Sequence, residues 1–137
     1  LYGNGEQERE LKELSKNDQR IIFQPFKNQS EMPMVYRVGD VFVLPSKSET
    51  WGLAVNETMA CGRPAIISDQ CGCAFELIVE GKTGFTFHTG NAEDLFHCMK
   101  KFENRDAALQ MGMEALKHIE HFSLEKIAEV IEEEVIK

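Results

Sequence analysis

Val41-Phe42-Val43-Leu44-Pro45-Ser46-Lys47-Ser48-Glu49-Thr50-Trp51-Gly52-Leu53-Ala54-Val55-Asn56-Glu57-Thr58-Met59-Ala60-Cys61-Gly62-Arg63-Pro64 decides how this chain folds. Val41 to Leu44 is an uninterrupted apolar run, the mark of a strand buried on both faces, as in a parallel sheet. A loop follows, and then a helix from about Gly52 to Cys61, stopped by Gly62 with Pro64 just beyond. The first turn of a helix has N–H groups with no internal partner, so strand, loop and helix start together make an anion site. Here two carboxylates, Glu49 and Glu57, flank the glycine at that helix start. Two acids are odd for phosphate alone. They suit a mixed ligand, anionic in the middle and rich in hydroxyls at both ends.

Outward from that stretch the pattern repeats. Tyr2-Gly3-Asn4-Gly5 reads as a strand end and a tight turn, and Glu6 to Lys16 as a polar helix with Leu11 and Leu14 inward. Ile21-Ile22-Phe23, bounded by Asn17-Asp18 and Pro25, reads as a buried strand. Ser30 is placed to cap a short helix carrying Met32, Val35 and Val38, with Pro33 in its first turn. Ala65-Ile66-Ile67-Ser68 and Gly84-Phe85-Thr86-Phe87 are the next strands, with a helical turn or two over Phe75 to Val79 between them.

Beyond Asn91 the chain is helical. Asn91 caps a segment with Ala92, Leu95, Phe96, Met99 and Phe102 on one face, at helical spacing. A second helix carries Leu109, Met113 and Leu116. A third, capped by Ser123, carries Leu124, Ile127, Ala128, Ile131 and Val135. Alternating strands and helices imply right-handed βαβ units in an α/β, doubly wound parallel sheet, with three C-terminal helices over 91–137. Residues 1–137 read as one domain without internal repeats. The opening lacks a full first strand, so the expectation is an open edge or a gap in strand order. Exposed edges recruit other strands, which makes a dimer through that edge an expected outcome.

Composition narrows the partners. The chain has 137 residues, enough for one buried core. Its net charge of −8 argues against nucleic acid, whose binding rests on Lys and Arg neutralising phosphates. Glu6, Glu8, Glu10 and Glu13, and Glu132-Glu133-Glu134, read as solvated helix faces. No apolar run approaches the roughly 18 residues of a membrane span. No basic start leads into an apolar core, so the expectation is a cytoplasmic protein or a piece of something longer. Cys61, Cys71, Cys73 and Cys98 lack a zinc pattern and read as reduced thiols. His88 ends a strand, and His97, His118 and His121 sit on helices without metal spacing.

In a doubly wound sheet, ligands sit outside the carboxyl ends of the strands, where Ser46 to Gly52 lies. Gly52 lets backbone approach a ligand with no Cβ in the way. The N–H groups of Trp51, Gly52, Leu53 and Ala54 are free to meet sugar hydroxyls and a diphosphate. Glu57, one turn further in, is placed to accept from a ribose diol, and Glu49 from hydroxyls of a second sugar, since an ionised acid only accepts. Singly, each has a plainer reading: Glu49 as a helix-dipole partner, Glu57 as a solvated helix residue, Trp51 as packing, Gly72 as a turn. Lys47 reads as solvent-facing. The joint spacing favours the ligand reading.

Glu49-x₇-Glu57, with Trp51-Gly52-Leu53 and Glu57-Thr-Met-Ala-Cys-Gly-Arg-Pro, resembles the E-x₇-E motif of family 4 retaining glycosyltransferases of the GT-B fold. Other pieces agree in order. Gly3-Asn4-Gly5 is similar to that family's G-x-G turn, and Phe23-Gln24-Pro25-Phe26 to its F-x-G-(F/Y) loop, with Gln24 in place of the usual glycine. Tyr36-Arg37-Val38-Gly39-Asp40-Val41-Phe42-Val43-Leu44-Pro45-Ser46 matches its Y-x-x-A-D-hydrophobic-P-S run. Ser68-Asp69-Gln70-Cys71-Gly72-Cys73, Glu76-Leu77-Ile78 and Gly81-x-x-Gly84 complete the series.

The resemblance implies the nucleotide-sugar donor domain of a two-domain transferase. Glu49, the residue assigned to catalysis, would face the donor sugar and Glu57 the ribose. Backbone from Trp51 to Ala54 would hold the pyrophosphate, Gln24-Pro25-Phe26 would border the base, and the Gly72 loop would approach the donor. It implies no cofactor and no bound metal. The missing partner would be an N-terminal acceptor domain, and any membrane contact would come through the parent enzyme's acceptor. The family's Arg and Lys near the first strand are not assignable here. This piece alone would be catalytically inert. A non-catalytic module of the same fold, and a nucleotide-sugar epimerase, remain open on residues alone.

Overall fold

The computed structural model describes residues 1–135, which form two compact units, Leu1–Met32 and the chain from Pro33 onward. In the first unit, Leu1 to Gly3 lies parallel to Ile22 to Gln24. The Gln24 N–H donates to the Leu1 carbonyl at 2.8 Å and the Gly3 N–H to the Gln24 carbonyl at 3.3 Å. Helix α1, Glu8–Ser15, carries an i,i+4 pair in which Lys12 Nζ donates to Glu8 at 2.6 Å. Here the structure departs from the periodicity. Ile21-Ile22-Phe23 forms no buried strand, the single bridge here being that of Gln24 with Tyr2, and Leu11, Leu14, Ile21 and Ile22 are exposed. A unit of this size has too little surface to bury both faces of an element: below about 40 residues a core seldom closes. The helix start also differs. Asn28, not Ser30, caps the short 3₁₀ turn Gln29–Glu31, with Glu31 reaching back to the Asn28 N–H at 3.3 Å in a capping box.

The second unit is built on three parallel strands, β1 (Phe42–Leu44), β2 (Ala65–Ser68) and β3 (Gly84–Phe87), side by side in chain order. The register sets Val43 beside Ile66 and Ile66 beside Phe85. Side chains alternate across a sheet, so these residues share one face with Val41 and Phe87. Ile67, Ala65, Phe42 and Leu44 take the other face. All four residues of β2 are buried, as the doubly apolar run requires. Fully burying a side chain the size of Ile66 or Ile67 contributes about 1.5–3 kcal/mol.

Each face is covered by helices. On one, Val55 and Met59 of α3 (Leu53–Ala60) and Ala115 and Ile119 of α6 (Arg105–Ile119) join Ala65, Ile67, Leu77 and Cys73 in one core. On the other, Cys98 and Leu95 of α5 (Ala92–Lys100), with Phe102, pack on Ile66, Phe85 and Phe87. Helix α2, Met32–Val38, precedes β1, and α4, Ala74–Leu77, lies between β2 and β3. The caps at Asn91 and Ser123 form as expected: the Asp94 N–H donates to Asn91 at 3.0 Å and the Lys126 N–H to Ser123 at 3.2 Å.

The inward faces of the helices differ from the plain apolar stripe. In α5 the buried residue is Cys98, with Leu95 and, just past the helix, Phe102 half-buried beside it, while Phe96 and Met99 are exposed. In α6 it is Ala108, Gly112, Ala115 and Ile119, while Leu109, Met113 and Leu116 stay outside. Small residues win because α6 packs close against α3, where larger side chains would not fit. In α2 the buried residue is Tyr36, and Val38 is exposed. The third helix, α7 (Leu124–Val135), has no buried residue.

Candidate functional site

The carboxyl ends of β1 and β2 continue as two facing segments. Beyond β1, Glu49 pairs with Cys71 in a parallel bridge. The Glu49 N–H donates to the Gln70 carbonyl at 3.2 Å, the Gly72 N–H to the Glu49 carbonyl at 2.9 Å, and the Cys73 N–H to the Trp51 carbonyl at 3.0 Å. A Cβ on Gly72 would lie 2.0 Å from the Thr50 carbonyl oxygen, so only glycine permits this approach. Ser68, fully buried at the end of β2, donates its hydroxyl to the Ser46 carbonyl at 2.5 Å and closes the base of the loop. Glu49 is therefore fixed by backbone on both sides.

Gly52 begins α3 with φ +104°, a conformation that side chains oppose. A Cβ there would meet Cys73 Sγ at 3.2 Å and Glu49 Cγ at 3.5 Å. The Val55 N–H turns back to the Gly52 carbonyl at 2.8 Å, and the Trp51 N–H donates to Glu49 Oε1 at 3.4 Å. Among the described residues, no protein acceptor takes the N–H groups of Gly52, Leu53 and Ala54. The positive end of α3 thus has open donors beside a half-buried carboxylate.

Trp51 is anchored. Its Nε1 donates to Asn56 Oδ1 at 2.9 Å, and its ring packs on the core beneath α3. Leu53 is exposed and Ala54 half-buried. Glu57 accepts from the Tyr36 hydroxyl at 2.7 Å through Oε2. Burial, reinforced by that carboxylate, pushes the Tyr36 phenol well above its ordinary pKa. Lys47 is exposed, as its sequence reading had it.

Glu49, Trp51, Gly52, Leu53, Ala54, Glu57 and Gly72 thus belong to one unit, with Glu49 and Gly72 in direct backbone contact. Gln24, Pro25 and Phe26 belong to the other unit, where Gln24 bridges Tyr2 and Phe26 is exposed. Tyr36 and Asn56 carry side-chain contacts that the residue pattern did not single out. Tyr36 lies 21 residues from its partner, and no local spacing signals that pairing.

Over residues 1–118 the chain matches the family model of glycosyl transferases group 1. It belongs to that family. It is 37% identical over 97 residues to the sulfoquinovosyl transferase SQD2 of Arabidopsis thaliana, covering 69% of this chain and 19% of that protein. It is 32% identical over 111 residues to a D-inositol 3-phosphate glycosyltransferase of Rhodococcus opacus, covering 80% of this chain and 25% of the relative. The chain thus spans about a fifth to a quarter of these curated relatives' length. Among solved structures, a sucrose-phosphate synthase from Thermosynechococcus elongatus superposes with TM-score 0.82 at 25% identity, over 93% of this chain and 32% of that one. Anabaena Alr3699/HepE, solved in complex with UDP-glucose, superposes with TM-score 0.81 at 23% identity, over 98% of this chain and 39% of that one. The fold is that of GT-B glycosyltransferases, α/β with a parallel sheet. Among the described residues, no helix of this group 1 domain is long and apolar enough to cross a membrane.

Proposed function

We propose that this chain is the nucleotide-sugar-binding half of a retaining glycosyltransferase of the family 4 type. The observation that carries the reading is the start of α3. The Gly52, Leu53 and Ala54 N–H groups lack protein acceptors among the described residues, and Glu49 is clamped beside them by the Gln70–Gly72 segment.

In this reading the donor's diphosphate rests on the N–H groups at residues 51–54. Glu49 accepts from hydroxyls of the transferred hexose and Glu57 from the ribose. The Gly72 loop closes on the sugar from the β2 side. During transfer the bond between the anomeric carbon and the diphosphate oxygen breaks, and the electron pair leaves with the diphosphate. The acceptor hydroxyl oxygen bonds the same carbon on the same face, and its proton is released. Helix N–H donors offset the charge that develops on the leaving group, because fixed dipoles need no reorganisation. Glu49 acts by orienting and stabilising the sugar, not as a nucleophile. No metal is needed for this electrostatic work.

The acceptor binds a separate N-terminal domain, so residues 1–137 alone bind donor without turning it over, and the parent enzyme works in the cytoplasm. Saturation-transfer NMR with UDP, GDP and ADP, and with their glucose and mannose derivatives, tests the site. Binding to the wild-type chain that Glu57→Ala weakens supports it. Signals indifferent to Glu57→Ala would remove the proposed site.

A further inference from the structure

Glu57 does not stand alone. The Tyr36 hydroxyl donates to its Oε2 at 2.7 Å, from α2 to the second turn of α3. Tyr36 is 7% exposed, and its ring meets Phe42 of β1 edge-on, centroids 5.6 Å apart at 87°. The donor is therefore fixed by the core. The acceptor is half-buried, and Glu57 Oε1 has no protein partner among the described residues.

We propose that Tyr36 is a positioning residue that holds the Glu57 carboxylate in one orientation and thereby sets the site's preference for a ribose diol over a 2′-deoxyribose. The inference rests on the donor-site reading above and extends it to a residue outside the helix start. A glutamate side chain at a helix surface turns freely unless something holds it. A buried tyrosine does so at one oxygen only, because its single O–H can donate once. The second oxygen is left for a ligand. Two adjacent hydroxyls need a carboxylate whose plane is set before they arrive, and a 2′-deoxyribose offers one hydroxyl fewer. Burial keeps the phenol protonated, so it remains a donor across the working pH range.

The test compares affinities of the 137-residue chain for UDP and 2′-deoxy-UDP, with the GDP and ADP pairs alongside, in the wild type, Tyr36→Phe, Glu57→Ala and the double variant. Tyr36→Phe keeps the ring against Phe42 and removes only the hydroxyl. The expected result is a ribose-over-deoxyribose ratio that falls about five- to tenfold in Tyr36→Phe. Affinity for the 2′-deoxy nucleotide should change less than about twofold, and Tyr36→Phe should add nothing in the Glu57→Ala background. A ratio that responds to Glu57→Ala but not to Tyr36→Phe overturns the role of Tyr36 and leaves the donor site intact. Equal weakening of both nucleotides by Tyr36→Phe also overturns it, because that marks a purely structural contact. A ratio untouched by Glu57→Ala, or no nucleotide binding at all, overturns the donor-site reading and this inference with it.

Discussion

Gly72 packs its α-carbon directly on the backbone of Thr50, so closely that a methyl group there would sit 2.0 Å from the Thr50 carbonyl oxygen. That approach brings the Gly72 N–H to the Glu49 carbonyl and aligns Glu49 with Cys71. The candidate site is therefore a joint between two strand ends rather than a loop standing alone.

Gly72→Ala forces this joint apart. The obstacle is backbone, so no side-chain rotation relieves it, and forced overpacking of this kind costs about 1–3 kcal/mol. The expected outcome is a lower melting midpoint together with weaker nucleotide-sugar binding. Unchanged stability and binding would mean the two segments do not touch in solution.

Gly52→Ala acts through conformation. At φ +104° an alanine is strained, at a cost of about 1–3 kcal/mol, and its Cβ crowds Cys73 Sγ at 3.2 Å. Urea unfolding should show a reduced midpoint with an unchanged slope. A midpoint equal to wild type would contradict the left-handed start of α3.

Arg63 ties the end of α2 to the turn after α3. Its Nε donates to the Gly39 carbonyl at 2.7 Å, and its terminal nitrogens donate to the Arg37 carbonyl at 3.0 Å and the Gly62 carbonyl at 3.3 Å. Charged donors on orphan helix carbonyls satisfy the helix end and its dipole. Arg63→Ala should destabilise by about 1–2 kcal/mol, read by denaturant titration. Arg63→Lys should recover only part, since one ammonium cannot reproduce the guanidinium fork. Full recovery by lysine would show that charge alone matters.

His88 and Asp94 form a pH-sensitive pair at the end of β3. Asp94 accepts from the His88 ring Nδ1 and from its N–H, both at 2.7 Å. The hydrogen bond to Asp94, then its charge, raises the His88 pKa above 6.5. The His88 backbone N–H, then its ring, lowers the Asp94 pKa below 3.8. The histidine's contribution is full below pH 6.5 and is lost as pH rises through its raised pKa. The aspartate's is full above pH 3.8 and is lost as pH falls through its lowered pKa. Both hold between those values. An NMR titration should show the His88 imidazole pKa dropping toward 6.5 in Asp94→Asn. Identical titrations in the two proteins would dissolve the pair.

Cysteine reactivity offers a check on the core. Cys71, Cys73 and Cys98 are buried and Cys61 is half-exposed. Burial pushes the Cys73 thiol up to about 11 and raises Cys98 as well, so neither supplies thiolate at neutral pH. A thiol-reactive dye should modify Cys61 in the native protein and all four cysteines in denaturant. Rapid native labelling of Cys73 would mean the packing beneath Gly52 is open.

The apolar run at 65–67 marked a strand buried on both faces, as β2 is, while the run at 41–44 became β1, whose residues are only half-buried because it lies at the edge of the sheet. Gly62 and Pro64 fixed where α3 stops, and the spacing of Glu49, Gly52 and Glu57 marked the candidate site, because capping and helix geometry act within a few residues. Tertiary packing decided what distance in the chain conceals. It chose Ala108, Gly112 and Ala115 over the larger residues of α6, since a close helix crossing selects for small volume. It joined Glu49 to Gly72 and gave Glu57 its partner in Tyr36, contacts between residues that only a folded sheet brings within reach.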